Sequence, residues 1–433
     1  MSGARKEDGA RPVAERGRQR ARELVARARE LRESDAFEPP RAHAAGGVTA
    51  EEALARAKAS KRRSRTWVLV FGALCAAVAL LSLLLPYYGI DNMGAQGRVY
   101  APGDVLACYA LWFKMHIAPL FDPTLANRSA ALLAQFQLDN PDVTYSAVMQ
   151  RALVTFIVLL CGILLAVSGL LFQTAFRNPL ATPTMLGVSD GVTLGCIVYV
   201  SLGYGAIADN PTLYLLLVYG FGGAMVVFVL LFSRVLTGAK HFNVLDMLLL
   251  GTVVCQLLGG VNSFIQNFVL SYDAWERFYD IQQADSALVE PVIVIVVIAV
   301  FAVTFLAAFV LRFLFNMIAF SDEDGTMMGV RAGLLRLLAL VLGSLMQLAA
   351  MASIGQVASL SLAVPFLVRY LMPADFRSQF LGNCLVGMAV LLVCVAIQHF
   401  ATVGIVTMPV GTIVSIFIIP FFIWLMAFGK GRW

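Results

Sequence analysis

Six small or polar residues recur at helical spacing within one long apolar segment, Leu245–Leu270. Glycines allow close approach between helices, and amide and hydroxyl side chains form hydrogen bonds. Such a stripe predicts either helix packing through interhelical hydrogen bonds or one wall of a wide, weakly polar pathway for a bulky solute. The stripe consists of Gln256, Gly259, Gly260, Ser263, Gln266 and Asn267.

A second polar cluster interrupts the apolar sequence at residues 316–333. Ser321 followed by three acids is typical of a helix N-terminus, because the hydroxyl can cap the first turn and the acids favour the helix dipole. Adjacent methionines suit an adaptable binding surface. We therefore expect a short cytoplasmic helix that docks onto a partner protein. The residues assigned to this docking are Asp322, Glu323, Asp324, Gly325, Met327, Met328, Gly329, Val330 and Arg331.

Catalytic and metal-dependent chemistry finds little support in the sequence. There is no G-x-x-x-x-G-K-[ST] motif, so the chain has no P-loop for ATP. The four histidines lack metal-ligand spacing, and we expect neither a metal site nor a cofactor. Apolar segments carry almost no ionisable groups, which weakens the case for an ion-coupled carrier. We expect a transport subunit rather than an enzyme.

The composition is that of an integral membrane protein. Hydrophobic residues make up 59% of the 433 residues and charged residues 14%, against about 25% in soluble domains. Residues 1–65 hold 17 basic and 10 acidic side chains and predict a cytoplasmic tail, partly helical or disordered. The first apolar run begins only at Trp67, too late for a secretory signal peptide. Residues 66–433 form the predicted transmembrane domain.

Hydropathy predicts ten membrane elements in an all-α fold, with both termini cytoplasmic because the short basic breaks then all lie inside. Residues 86–148 form an extracytoplasmic loop that contains one short interfacial helix. The third and eighth elements are too short to span straight, so they are expected to be broken or partly reentrant. The predicted elements are Trp67–Leu85, Arg151–Phe172, Val192–Leu202, Thr212–Phe232, Leu245–Leu270, Val289–Phe313, Leu334–Met351, Leu360–Leu371, Phe380–His399 and Val410–Ala427.

The stretch Gly162–Gly195 joins two apolar elements through an abrupt polar break. Arg177, Asn178 and Pro179 cannot continue a lipid-exposed helix without leaving backbone groups unpaired. This stretch closely resembles the FecCD-type permease subunits of the iron-siderophore, haem and vitamin B12 ATP-binding-cassette importers, as do three later motifs. The matching residues are Gln173, Asn178, Pro179, Leu180, Pro183, Gly187, Gly191, Pro365, Arg369, Pro409, Gly411 and Pro420.

The resemblance implies about ten transmembrane helices in a type II ABC importer permease architecture. It also implies a homodimer or heterodimer of permeases, two cytoplasmic ATPase subunits that hydrolyse ATP, and an extracytoplasmic solute-binding protein. The expected location is a bacterial plasma membrane, the expected solute is a ferric siderophore, haem or cobalamin, and no nucleic acid is involved. Family members place a cytoplasmic constriction before the fifth helix, where Phe242 and Asn243 stand here.

Several positions depart from the family pattern and bear on subfamily and solute rather than on the fold. Ser359 stands where the family usually has Phe, Ser361 where it has Gly, and Phe366 where it has His. Ala396 and Phe400 stand in place of the expected Asp and Arg, and Thr407 in place of Glu.

Two other functions stay open at this stage. The chain could be an ATP-independent channel or facilitator for a bulky solute, which would transport without nucleotide. It could also be a membrane-anchored sensor that uses the basic tail, which would lose function when residues 1–60 are deleted.

Overall fold

The computed structural model divides into two units, Met1–Ser60 and Lys61–Trp433. The second unit contains the predicted transmembrane domain and is described below. Of the predicted tail, residues 50–65 begin a long helix, and residues 1–49 lie outside the described residues. The structure describes residues 50–84, 102–116, 129–139, 145–236, 244–283, 290–320, 332–357, 359–372, 375–401 and 409–428.

In these residues the chain is built from α-helices. A 3₁₀ turn at Pro183–Leu186 precedes α5, a second one at Ile207–Asp209 precedes α6, and a π-helical turn at Ile265–Val269 extends α7. The helices are α1 (Ala50–Leu84), α2 (Pro102–His116), α3 (Ser129–Asp139), α4 (Tyr145–Phe176), α5 (Val188–Ser201), α6 (Pro211–Leu236), α7 (Val244–Phe264), α8 (Tyr272–Gln283), α9 (Pro291–Phe320), α10 (Ala332–Ile354), α11 (Leu360–Leu371), α12 (Phe376–Ala401) and α13 (Val410–Phe428).

The predicted membrane elements are confirmed. Seven helices in the described part of the chain, α1, α4, α6, α7, α9, α10 and α12, are long and apolar enough to cross a bilayer. The two elements predicted to be too short are α5, with 14 residues, and α11, with 12. Helix α13, with 19 residues, supplies the tenth.

Helix α4 lies at the centre of the bundle, between α10, α11 and α12. Leu164, Leu165 and Val167 in its middle are fully buried. At Gly162 a Cβ would lie 2.6 Å from the carbonyl oxygen of Gly387 in α12. The absence of a side chain therefore lets the two helices touch through their backbones, as the small residues of this stretch predicted.

Hydrogen bonds between helix ends define two faces of the bundle. Arg177 Nε, just after α4, donates to the Ile318 carbonyl oxygen near the end of α9 at 2.9 Å. Near the start of α12, the Phe376 N–H donates to Asn316 Oδ1 at 3.0 Å. We call this side, which also carries Arg377, the arginine face. On the opposite face, the Tyr214 hydroxyl of α6 donates to the Ala352 carbonyl oxygen of α10 at 3.2 Å.

Two helices extend six or seven residues beyond their predicted bounds. Helix α4 begins at Tyr145 rather than Arg151, and within it Arg151 donates from Nε and Nη2 to the Ser82 carbonyl oxygen of α1. Helix α9 continues to Phe320 rather than ending at Phe313. Asn316, which was predicted to open the docking segment 316–333, therefore lies in α9 and caps the start of α12.

The predicted break Ser271–Asp285 contains a helix, α8, that the sequence analysis missed. Its charged residues suggested a loop, but they occupy one side only. Phe278 and Ile281 are buried on the other side, and the rings of Trp275 and Tyr279 stack with their centroids 5.6 Å apart. This amphipathic pattern is typical of a surface helix, and α8 packs against α5.

Residues 86–148, predicted as an extracytoplasmic loop with one short helix, contain two described helices, α2 and α3. Val105 and Cys108 of α2 are buried against Val148, at the start of the α4 span. Burial, with Asp104 nearby, raises the pKa of the Cys108 thiol to about 11. The reactive thiolate is therefore scarce at neutral pH.

The turn between α5 and α6 is held by one carboxylate, which makes it sensitive to acid. Asp209 Oδ2 accepts N–H groups of Ala206 and Gly205, both at 2.8 Å, and these bonds lower the pKa of the exposed carboxyl. A lowered folded-state pKa adds stability above the ordinary value of about 3.9, and that stability is lost as the pH falls through the folded value. Amide protection at residues 205 and 206 is expected to fall below about pH 4.

Hydrogen–deuterium exchange of the 203–210 peptide checks this prediction. Asp209→Ala should give low protection at every pH, and Asp273→Ala, in α8, should behave like the parent. Acid-independent protection in the parent would contradict the assignment.

Candidate translocation surface

The polar stripe of α7 lies on the outside of this single chain. Gln256, Gly260, Ser263 and Asn267 are exposed, whereas Gly259 and Gln266 at the edge of the stripe are half-buried. Asn267 Nδ2 donates to the Ser263 carbonyl oxygen of its own helix at 2.7 Å. Amides on a membrane helix cannot be left to face hydrocarbon without cost. The stripe therefore faces a partner or water.

The stripe ends in the π-helical turn Ile265–Val269, which includes Gln266 and Asn267. Single π turns inside α-helices are rare and are frequently found at functional sites. None of the five residues of the turn is buried, and Phe268 is 78% exposed. The end of the helix thus presents both amide groups and an aromatic ring outside the packed bundle.

The opposite side of α7 is fixed to the rest of the chain. Asn262 is buried and its Nδ2 donates to the Asp190 carbonyl oxygen of α5 at 2.9 Å. The Cys255 thiol lies 3.2 Å from the Thr184 carbonyl oxygen, and Gly251 packs directly on that of Met185. One face of α7 is thus seated on the break before α5 and on the first turn of α5, while the predicted stripe remains available.

The break itself is well ordered. Gln173 is fully buried, and its Nε2 donates to the Leu362 carbonyl oxygen of α11 at 3.3 Å. Asn178 Oδ1 accepts the Leu180 N–H at 2.9 Å, which closes a turn around Pro179, and Pro183 further along the break is buried. These family-motif residues thus shape the turn.

Two glycines, one at the end of the break and one in the first turn of α5, are needed for different reasons. Gly187 has φ +75°, a backbone conformation that residues with side chains rarely adopt. At Gly191 a Cβ would lie 2.7 Å from the Gly222 Cα, so α5 and α6 cross in close contact.

The second broken element mirrors the first. Gly355, after α10, has φ +72°, and the Gln356 side chain donates to Thr193 Oγ1 in α5. The Gln356 carbonyl oxygen packs on Gly411, so α13 approaches the same turn. Backbone inside the bilayer is here shielded by protein, as was predicted for the short elements.

The remaining family-motif residues lie around this turn or on α13. Pro365 is buried in α11, and Arg369 is in the last turn of that helix. The Pro409 carbonyl oxygen accepts the Thr412 N–H at the start of α13, whereas Pro420 is exposed within α13.

The departures from the family pattern leave this packing intact. Phe366, in place of His, is 2% exposed, and Ser361 is fully buried. Ser359 Oγ lies 3.4 Å from Ser415 Oγ of α13, and the main chain of Ser361 packs on Gly169 of α4. Ala396 lies within α12, as does Phe400, and Thr407 lies outside the described residues.

Two predicted groups cannot be placed. The gate residues Phe242 and Asn243 lie outside the described residues, as does the docking set from Asp322 to Arg331. The flanks of the docking segment are described: α9 ends at Phe320 and α10 begins at Ala332.

Sequence reasoning missed two functional-site side chains that hold the broken elements, Asn262 and Gln356. Each is an isolated amide in an apolar stretch, which is the available signal, since such groups need a partner in the membrane. Asn262 lies about 120° around the helix from the centre of the stripe, so it did not belong to the pattern.

Residues 117–428 match the FecCD transport family. The chain belongs to this family. Three relatives are a probable iron chelatin transport system permease protein of Helicobacter pylori, the hemin transport system permease protein HmuU of Yersinia pestis and the vitamin B12 import system permease protein BtuC of Klebsiella pneumoniae. The Helicobacter pylori protein is 29% identical over 63% of this chain and 79% of its own length. HmuU is 29% identical over 61% of this chain and 78% of its own length. BtuC is 27% identical over 64% of this chain and 81% of its own length.

The fold matches that of a solved structure described as a metal-chelate type ABC transporter in an inward-facing conformation. The TM-score is 0.62 at 17% identity, over 84% of this chain and 99% of the other. The expected type II ABC importer permease architecture of an all-α, multi-pass membrane protein is thereby confirmed.

Two glycines of α7 test how this helix is anchored. Gly251→Ala places a methyl group on the Met185 carbonyl oxygen, whereas a Cβ at Gly260 meets nothing within 4 Å. Overpacking costs about 1–3 kcal/mol, so Gly251→Ala is expected to lower the thermal unfolding temperature of the purified protein. Gly260→Ala, which gains helix propensity, should leave it unchanged or slightly raised. Equal effects of the two substitutions would show that α7 is not seated on the break.

Proposed function

We propose that this chain is the permease subunit of an ATP-driven importer for an iron chelate, haem or cobalamin, with ATP hydrolysis on a separate chain. Family membership supports this assignment, as do relatives named as permeases for iron chelatin, hemin and vitamin B12. The single observation that carries it is the exposed amide and glycine stripe on the membrane helix α7. The solute passes through unchanged, so the chain needs no catalytic group.

The stripe is proposed as one wall of the pathway in a homodimer or heterodimer of permeases. Carboxamides and a hydroxyl can exchange hydrogen bonds with a large solute without holding it tightly, which suits release on the far side. A Ser or Gln lining also avoids the strong ligands that would strip iron from a chelate. A second permease would supply the facing wall and cover the amides from lipid.

Motion is proposed to come from two ATPase subunits on the arginine face. The positive-inside rule assigns this face to the cytoplasm, and with ten spans both termini lie there as well. The docking segment Asp322–Arg331 joins α9 to α10, whose flanking ends lie at this face. Closure of the ATPases would then shift both helices and bias the bundle between two packings.

Phe242 and Asn243 are proposed as the cytoplasmic gate, and an extracytoplasmic binding protein delivers the solute at the opposite face.

Uptake into proteoliposomes tests the proposal. Vesicles containing this chain and its genetically adjacent ATPase should accumulate one of three probes, a ferric siderophore, haem or cyanocobalamin, when ATP and the binding protein are supplied. The chain alone should hydrolyse no ATP. Uptake that persists without ATPase and nucleotide would instead establish a channel or facilitator.

Charged residues in place of Met328, Gly329 and Val330 are expected to abolish ATP-dependent uptake, because they disrupt an apolar docking surface. ATPase co-purification should fall together with uptake. The matched control replaces Asp139, at the end of the extracytoplasmic α3, by Lys and should retain both. Full coupling in the triple variant would remove this segment from the mechanism.

Water access to the stripe is tested by cysteine labelling in a Cys255→Ser background. Ser263→Cys is expected to react with a positively charged methanethiosulfonate in vesicles, since the pathway is aqueous. Leu257→Cys, which is 71% exposed in this chain but lies outside the stripe, should face lipid and react at least tenfold more slowly. Similar rates at both positions would argue against a pathway on this face.

A further inference from the structure

Two arginines from different helices share one aromatic ring at the arginine face. The Arg312 guanidinium carbon lies 3.8 Å from the Phe309 ring centroid and 5.4 Å from that of Phe313. The Arg377 guanidinium carbon lies 4.4 Å from the Phe313 centroid. Since both flank Phe313, the two cations are less than about 10 Å apart. We call Phe309, Arg312, Phe313 and Arg377 the arginine–phenylalanine patch.

The patch lies near the ends of two candidate membrane spans. The span of α12 begins at Phe376, one residue before Arg377, and the span of α9 ends at Ile318, six residues after Arg312. Because Arg377 stacks on Phe313, the patch on α9 lies at the same depth. Helix α9 then continues for seven residues to Phe320, about 10 Å beyond the patch.

The two cations lack a carboxylate partner within the described residues. Asp375 is the nearest acid in sequence to Arg377, and its Oδ1 accepts the backbone N–H of that residue at 3.4 Å. Neither guanidinium forms an ion pair with a described acid, and Arg312 Nε is buried without a hydrogen-bond acceptor. Two like charges beside apolar rings at low dielectric call for an anion.

The surface next to the patch is apolar and exposed. Leu306 and Val310 are 61% and 63% exposed, and Phe309 and Phe313 are 37% and 50% exposed. At spacings of three and four residues they form one continuous ridge along α9. The ridge runs from the patch into the depth of the membrane.

We propose that the arginine–phenylalanine patch binds the headgroup of an anionic phospholipid, whose acyl chains lie along the ridge of α9. Guanidinium groups pair well with phosphate oxygens, and phenylalanine rings can hold them in place by stacking. A free phosphate would satisfy the cations but not the ridge. A soluble protein surface would reach the arginines but not the acyl depth. An anionic amphiphile matches both parts.

The experiment uses the full-length chain in vesicles of phosphatidylcholine with spin-labelled phosphatidylglycerol or phosphatidylcholine as probes. The protein-bound fraction gives the relative association constant of the two lipids. A juxtamembrane cation contributes about 1 kcal/mol of attraction to anionic lipid, or about fivefold. The preference for phosphatidylglycerol is therefore expected to fall about fivefold in Arg312→Gln or Arg377→Gln and further in the double variant.

Arg234→Gln is the matched control, because Arg234 is exposed in the last turn of α6 on the same face but has no described ring contact. It should keep the preference. Phe313→Leu keeps both charges and the ridge and should weaken the preference by less than the double variant does. An unfolding temperature within a few degrees of the parent establishes that a variant is folded. If Arg312→Gln does not meet this criterion, Arg312→Lys is used in its place.

Four results would overturn the proposal. An unchanged lipid preference in the double variant would do so. So would equal loss in Arg234→Gln, which would indicate general surface charge. Loss of ATPase binding in the double variant, with lipid preference intact, would assign the patch to a protein partner. Competition by millimolar inorganic phosphate that removes the preference would point to a free-anion site instead.

Discussion

Direct backbone contact between helices is the constraint on which the rest of this bundle depends. In lipid, burial of apolar surface does not drive helices together, so close packing must do so. Gly162 meets Gly387 of α12, and Gly169 meets the Ser361 carbonyl oxygen of α11, where any side chain would overlap the facing backbone. Helix α4 can occupy the centre only because these contacts allow three neighbours to close around it.

Close packing also makes the two broken elements possible. A turn inside the bilayer leaves carbonyl groups without intrahelical partners, each costly in hydrocarbon. Here the Cys255 thiol donates to the Thr184 carbonyl oxygen, and Gly251 and Gly411 pack on the carbonyl oxygens of Met185 and Gln356 and shield them from lipid. Two amides tie neighbouring segments to α5: Asn262 donates to the Asp190 carbonyl oxygen and Gln356 donates to Thr193 Oγ1. The buried amides are therefore used to satisfy the fold. The exposed amides of α7 are different, because they do not hold one segment of this chain against another.

Hydropathy and the glycine and proline positions were enough to predict the ten elements, because membrane length and backbone satisfaction leave few alternatives. What failed was local. The charges of α8 suggested a break, although Phe278 and Ile281 lie on its buried side. Asn316 was placed in the docking segment 316–333, yet it lies in α9 and caps α12. The stripe of α7 was predicted as a pattern, but its exposure depends on tertiary packing that no single sequence reveals.

The distribution of burial separates a tightly packed part of the bundle from a part that needs a partner. In α4, α10 and α12 the membrane windows are 72%, 72% and 61% buried, whereas in α7 the share is 11%. A helix this exposed, carrying amides on its free side, would be costly in lipid alone. It is nevertheless anchored through Gly251 and Asn262 to the break before α5. A movement of that break would therefore carry the stripe with it.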